Sequence, residues 1–285
     1  MLVLSGTIPI TGLPLTEGTA VFKDGILTIG ETPFPVIQGV ATMIAAASES
    51  CKALGLNRPY AVVAGDIGKG DGSGTVYEYL KNNLFDLFPK IVVIHYIKPN
   101  IDNIKNVVAR INTQSDKPVL IADAGAMYVA KAAGIARNFD FFTPDLGEMA
   151  FLADPHALHP AYVRNTFFEV DASEVPKLIK QAHLHGNSSK HLLVKGAIDY
   201  ITENGEIMAT VTSPNIPEME AIGGTGDTLT GILSSLVYAK YDLVQAGLFA
   251  ARTNRIAGEL QQPTVATQIV ELIPFIAQAL QMLKN

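Results

Sequence analysis

From Val36 onward the chain alternates between stretches with helical spacing and short, almost wholly apolar runs: Tyr60 to Ala64, Ile91 to Ile94, Val119 to Ala122, Phe139 to Phe142 and His191 to Val194. A strand with one wet face alternates apolar and polar residues, so a run that is apolar throughout needs cover on both sides. The helical stretches between successive runs supply that cover: one reaches Leu54, one follows Ser73 and one spans about Ile101 to Ile111. The pattern predicts a doubly wound, mostly parallel α/β sheet flanked by helices on both faces. Tyr200 to Thr202 and Ile207 to Val211 read as a hairpin added to it. Ligands of such sheets collect beyond the carboxyl ends of the strands, where the loops gather.

At 285 residues, with 48% hydrophobic and 17% charged, the chain is expected to form one domain, 1–285, around a large core. Its first 35 residues differ, with β-like pieces at Thr19 to Phe22 and Ile26 to Ile29 joined by a Lys23-Asp24-Gly25 turn. They suit a sheet edge, a lid or a subunit contact. A net charge of −6 gives no electrostatic reason to expect nucleic acid or an anionic membrane as partner, so any phosphate site must be local. The single Cys51 excludes an intramolecular disulfide and fits a reducing compartment. Met1 to Leu4 lacks a basic flank and a sustained apolar core, and no run is long enough to span a bilayer, so the cytoplasm is expected.

The strongest functional signal is Gly223-Gly224-Thr225-Gly226-Asp227-Thr228-Leu229-Thr230-Gly231. Leu229, Ile232, Leu233 and Leu236 recur at helix spacing, so a buried helix begins near Thr225 or Gly226 and runs to about Lys240. Glycines at its start let the backbone approach a ligand, and the unpaired amides and helix dipole there favour an anion. Asp227 then has two readings: a base that takes a proton from an attacking hydroxyl, or an acid placed where the first helical turn favours one.

GGTGDTLTGI resembles the C-terminal signature of the ribokinase-like superfamily, and within it the ATP- or ADP-dependent NAD(P)H-hydrate dehydratases. The closing TVATQIVELIPFIAQAL is similar to that family's last segment. The resemblance implies an enzyme that sets the terminal phosphate of ATP or ADP against Gly224, Thr225 and Gly226, with Asp227 facing the acceptor. Lys195-Gly196, delivered by the run His191 to Val194, is similar to the family's Leu-Lys-Gly at the nucleotide site, which Gly223 joins; a solvated lysine is the other reading. Asp123-Ala124-Gly125-Ala126-Met127 resembles the family's Asp-Ala-Asp-Ala-Leu without its second acid. Asp123 either orients substrate hydroxyls or a metal-bound water, or caps a helix.

Gly65 to Gly74 is read either as the counterpart of a glycine-rich loop near the substrate, contributing Gly68, or as a plain surface loop. Thr143-Pro144-Asp145-Leu146-Gly147-Glu148 matches the dehydratases' His-Pro-Gly-Glu no better than the vitamin-precursor kinases' Thr-Pro-Asn-x-x-Glu. In those kinases the glutamate holds Mg2+ through water, which nominates Glu148 here; a plain helix start reads the same way. His156 with His159, and His183 with His185, lack any supporting ligand frame and are read as surface histidines.

The resemblance therefore implies a small-molecule substrate, ATP or ADP, Mg2+ and a homo-oligomer. The first expectation is dehydration of NAD(P)H hydrate. The alternatives are a ribokinase-like kinase acting on a hydroxyl or hydroxymethyl group of a sugar or vitamin precursor, and a nucleotide sensor without turnover. The dehydratases' N-terminal glycine-rich motif is missing, and Glu220 and Ile222 replace the family's residues before the glycines.

Overall fold

The computed structural model describes residues 1–157 and 172–283. Its strands in chain order are β1 (Leu2–Ile8), β2 (Thr16–Lys23), β3 (Ile26–Ile29), β4 (Thr32–Pro35), β5 (Tyr60–Gly65), β6 (Ile91–His95), β7 (Val119–Ala122), β8 (Phe141–Phe142), β9 (His191–Val194), β10 (Asp199–Glu203) and β11 (Glu206–Val211). They form one sheet in the order β11-β10-β9-β8-β7-β6-β1-β5-β2-β3-β4. The run from β9 to β5 is parallel, and antiparallel strands extend both edges.

β1 sits in the middle of the sheet, hydrogen-bonded to β5 and β6, with all seven of its residues buried. The chain thus begins inside the sheet, and only β2 to β4 of the first 35 residues lie at an edge. Strand order switches at β1, which makes the space beyond its carboxyl end a natural ligand crevice. β8 is shorter than its sequence suggests, because Phe139 follows a 3-10 turn over Ala136–Asn138 and joins the strand only at Phe141. The β2–β3 turn has Asp24 and Gly25 at φ 51° and 79°, the left-handed pair that a two-residue hairpin requires.

Two helical layers explain why the strands are apolar throughout. On one face α1 (Val40–Leu54), α7 (Thr225–Tyr238), α8 (Leu243–Gln261) and the closing helix Ile276–Met282 bury Met43, Ile44, Leu233, Ala250 and Ile276 against Leu2, Leu4, Ala61 and Val93. On the other, α2 (Asp71–Asn82), α3 (Ile101–Asn112), α4 (Gly125–Ala132), α5 (Leu146–Ala153) and α6 (Val175–Leu184) pack Val76, Tyr77, Ile104, Met127, Phe151 and Ile179 against Val3, Val62 and Val92. Leu2 and Leu4 therefore face one layer while Val3 faces the other, as the pleat dictates. α7 is drawn tight against α1: a Cβ on Gly231 would lie 2.4 Å from the Met43 carbonyl oxygen. Among the described residues no helix is long and apolar enough to cross a membrane.

Candidate active site

The carboxyl ends of the parallel strands deliver polar residues to one side of the sheet. His95 closes β6, Asp123 follows β7, Asp145 and Glu148 follow β8 at the start of α5, and Lys195 follows β9. With the first turn of α7 they line a cleft of about 800 Å3. A second cleft of about 630 Å3 lies beyond β1 and β5, lined by Thr7, Ile8, Gly39, Val40 and Asp66 among others. Tyr96, Ala124, Asp145 and Glu148 line both, so the two are contiguous. Tyr96 and Ala124 hold φ of 44° and 48°, left-handed values that cost a side-chain-bearing residue about 1–3 kcal/mol each. Such strain gathers where structure is held for a purpose other than stability.

α7 starts at Gly224, whose φ of 104° suits glycine, and no side chain caps it. Its first amides, at Thr225, Gly226 and Asp227, have no partner within the helix itself. Lys195 runs beneath this turn: a Cβ on Gly226 would lie 3.3 Å from the Lys195 Nζ. Asn254 on α8 braces the turn from behind, donating to the Thr225 carbonyl at 3.1 Å and accepting from the Thr228 hydroxyl at 2.7 Å.

Asp227 is buried and held at both oxygens. Oδ2 accepts the Gly39 amide at 2.6 Å, and Oδ1 lies 2.7 Å from His95 Nε2. Asp123 accepts Lys195 Nζ at 3.0 and 3.2 Å and the Thr230 hydroxyl at 2.6 Å. Burial works against both charges of that pair, yet the Lys195 ammonium and the His95 ring hold Asp123 below the usual carboxylate range. Asp123, Glu148 and Asp145 in turn raise Lys195 above the ordinary lysine value. His95, Asp123 and Asp227 bring ligating atoms within 4.8 Å of one another. The geometry would admit a cation, but the Lys195 ammonium already supplies positive charge at Asp123.

Glu148 is the third residue of α5 and forms a capping box with Asp145, through bonds of 2.9 and 2.8 Å; it also accepts the Tyr128 hydroxyl at 2.6 Å. Burial pushes its carboxyl up to about 7, against the opposing pull of Lys195. The Glu148 and Asp145 carboxylates are oxygen donors of the kind that hold Mg2+ through water, with the Lys195 ammonium close by. The Lys195-Gly196 turn is braced by Asp199 and Arg255. Asp199 accepts the Gly196 amide at 3.2 Å and Arg255 Nε at 2.7 Å, while Arg255 also donates to the Gly196 and Ala197 carbonyls at 2.9 Å.

Gly68 lies apart, in the second cleft. Its amide, with those of Gly70 and Ser73 and the Ser73 hydroxyl, is taken by the Asp66 carboxylate at 2.8–3.0 Å. Gly223 is exposed beside Gln38, outside the residues that line either cleft. His156 and His185 are exposed and His183 is half-buried; His159 lies outside the described residues. His95, Tyr128, Asp199 and Arg255 were not singled out by the sequence, although His95 follows an apolar run just as Asp123 and Lys195 do.

The family model described as NAD(P)H-hydrate dehydratase matches residues 98–275. The chain belongs to the NAD(P)H-hydrate dehydratase family. It is thereby an enzyme of the dehydratase or related kinase type. The matched stretch of this dehydratase-family chain contains Asp123, Glu148, Lys195 and Asp227, while His95, Gly68 and β1 precede it. An uncharacterized protein of Methanocaldococcus jannaschii is 44% identical over 220 residues, covering 77% of this chain and 90% of that protein. The bifunctional NAD(P)H-hydrate repair enzyme Nnr of Hyperthermus butylicus is 35% identical over 103 residues, 34% of this chain and 18% of that enzyme. A ribokinase-like superfamily protein from Enterococcus faecalis shares the fold of this dehydratase-family member, with a TM-score of 0.55 at 16% identity over 85% of this chain and 83% of that one. The architecture is ribokinase-like, as the sequence implied.

Proposed function

We propose that the chain dehydrates NAD(P)H hydrate at the expense of ATP or ADP. The observation that carries this is the placing of Asp227: it lines the first cleft beside the uncapped tip of α7, and its other oxygen is held by Gly39, which lines the second. The nucleotide lies in the first cleft with Gly196 along it and its terminal phosphate against the amides of Gly224, Thr225 and Gly226; Gly223, exposed outside that lining, only leads into the turn. Lys195 offsets phosphate charge, and Glu148 would hold Mg2+ through water, which supplies further charge neutralisation. The hydrated ring enters the second cleft near Gly68 and reaches toward Asp123 in the contiguous first cleft, and Asp227 takes the proton of its hydroxyl as that oxygen attacks phosphorus. Departure of the phosphorylated oxygen, with loss of a proton from the neighbouring ring carbon, restores the reduced nicotinamide. A cytoplasmic location, which the buried and unreactive Cys51 thiol fits, and a homo-oligomeric state belong to the same reading.

One feature favours the kinase reading. The second cleft is rich in acids, with Asp66, Asp145 and Glu148, and its Lys98 ammonium is already bonded to the Gly68 and Lys69 carbonyls at 2.9 Å. That suits a small uncharged ring and leaves a dinucleotide's pyrophosphate outside. Purified protein incubated with ATP or ADP and either NADPH hydrate or a panel of vitamin precursors and sugars separates the readings. Recovery of NADPH absorbance supports dehydration, a phosphorylated acceptor supports the kinase, and nucleotide binding without product leaves a sensor.

A further inference from the structure

His95 lies outside the matched family segment, and nothing so far gives it a task. Its side chain is 1% exposed, an expensive setting for a polar ring unless both nitrogens are served. Nε2 meets Asp227 at 2.7 Å; Nδ1 is buried without a hydrogen-bond partner and faces Asp123 Oδ2 at 3.9 Å. A neutral ring would turn a lone pair toward one of the two carboxylates. An imidazolium has a donor for each.

We propose that His95 is a positioning residue for Asp227, an imidazolium that bridges the Asp227 and Asp123 carboxylates, aims the first at the acceptor hydroxyl and separates the two negative charges. This rests on the reading of Asp227 as the base. Every charged group facing the ring is accounted for: Asp227 from α7, Asp123 from the end of β7, and Lys195 from the end of β9. β1 sets Gly6 opposite His95, the approach to α1 presents Gly39, and the Tyr96 ring packs against the imidazole tilted by 52° at a centroid distance of 4.3 Å. Burial pulls the ring toward neutrality and Lys195 assists, but Asp123 and Asp227 prevail and raise it above the ordinary histidine value. Held this way, Asp227 keeps its Oδ2 toward Gly39, on the side of the second cleft, whether or not substrate is present.

The test uses full-length protein with nucleotide bound. His95→Gln keeps a donor near the Nε2 position and removes the charge. The expected result is wild-type nucleotide affinity and near-unchanged acceptor KM, a kcat lower by about ten- to a hundredfold, and an acidic limb of kcat/KM moved upward by about one pH unit. A merely structural role would lower activity without moving the limb. Nitrogen NMR of the wild-type imidazole, assigned by loss of its signal in the variant or by selective labelling, reads the charge directly and does not depend on the variant folding. Protonation persisting above pH 7 supports the bridge. A neutral ring at pH 7, or a His95→Gln enzyme with wild-type kcat and profile, overturns it. Asp227→Asn run alongside separates the two ideas: an inactive Asp227→Asn with a wild-type His95→Gln defeats the bridge alone, while an active Asp227→Asn defeats both.

Discussion

Asp123 and Lys195 form an ion pair at 3.0 and 3.2 Å between the ends of two strands that are not neighbours, since β8 lies between β7 and β9. The pair spans the short strand β8 and ties the floor of the first cleft together. Breaking one partner leaves the other buried without its direct counter-ion, so Lys195→Met should cost about 3–5 kcal/mol of folding stability, less whatever the Thr230 hydroxyl and His95 offset at Asp123. Asp123→Asn combined with Lys195→Met should cost less than the two separate losses, by about 1–3 kcal/mol, in a urea-denaturation double-mutant cycle. Additive losses would show that the two charges do not interact.

Asp227→Asn removes the proton acceptor of the proposed reaction but keeps the shape of the site. Turnover should fall at least about a hundredfold while nucleotide affinity, read by calorimetry, changes little. A large loss of nucleotide affinity would instead assign Asp227 to binding.

Glu148 makes stability depend on pH in a direction opposite to that of a salt-bridged acid. Its folded value is raised to about 7 from 4.5, chiefly by burial. Below pH 4.5 both states carry the proton and nothing is lost; between 4.5 and 7 the unfolded chain ionises first, and stability declines. In metal-free buffer, Glu148→Gln should flatten that decline and be stabilising above pH 7, by up to about 3 kcal/mol, with no gain at pH 4. Equal effects at both pH values would mean that the carboxyl is not held neutral.

Arg255→Lys keeps the charge and loses the fork that grips Asp199 and the Gly196 and Ala197 carbonyls. About 1.5–3 kcal/mol of stability should go with each charged hydrogen bond lost, and nucleotide should bind more weakly because the Lys195-Gly196 turn is released. Unchanged affinity would confine Arg255 to a structural role.

Gly231→Ala places a methyl group where the Met43 carbonyl already lies, 2.4 Å away. α7 and α1 must part, and about 1–3 kcal/mol of stability should be lost in thermal melts, with nucleotide binding weakened as the α7 tip shifts. A neutral substitution would mean that the interface yields freely.

β5, β6, β7 and β9 could be read from sequence because each is a short apolar run, and β7 and β9 begin and end where the runs do; β10 and β11 were legible as a hairpin instead. β1 could not, since Leu2 to Ile8 contains Ser5, Gly6 and Thr7, whose burial follows from partners far along the chain: Ser5 donates to the Val93 carbonyl at 2.8 Å, and Thr7 to that of Tyr96. Asp123, Glu148, Lys195 and Asp227 were visible because their neighbours form motifs, and the fold brings them into one cleft. His95 and Arg255 have no such neighbours. Their importance is a matter of which side chains the sheet order sets beside them, Asp227 for the first and Asp199 for the second, and no local pattern encodes that.

Two helices of this enzyme open on a glycine with nearly the same left-handed backbone, Gly70 at φ 101° and Gly224 at φ 104°, yet a carboxylate meets the first amides of α2 and no side chain caps α7. α2 carries its own resident anion, the Asp66 carboxylate, wired to Gly68, Gly70 and Ser73 and held below the usual carboxylate range by those donors despite its burial. An anion approaching from solvent would therefore find the α2 end already taken by this carboxylate. On the proposed reading, the phosphates of a nucleotide are thereby directed to the α7 end by a side chain that never needs to touch them.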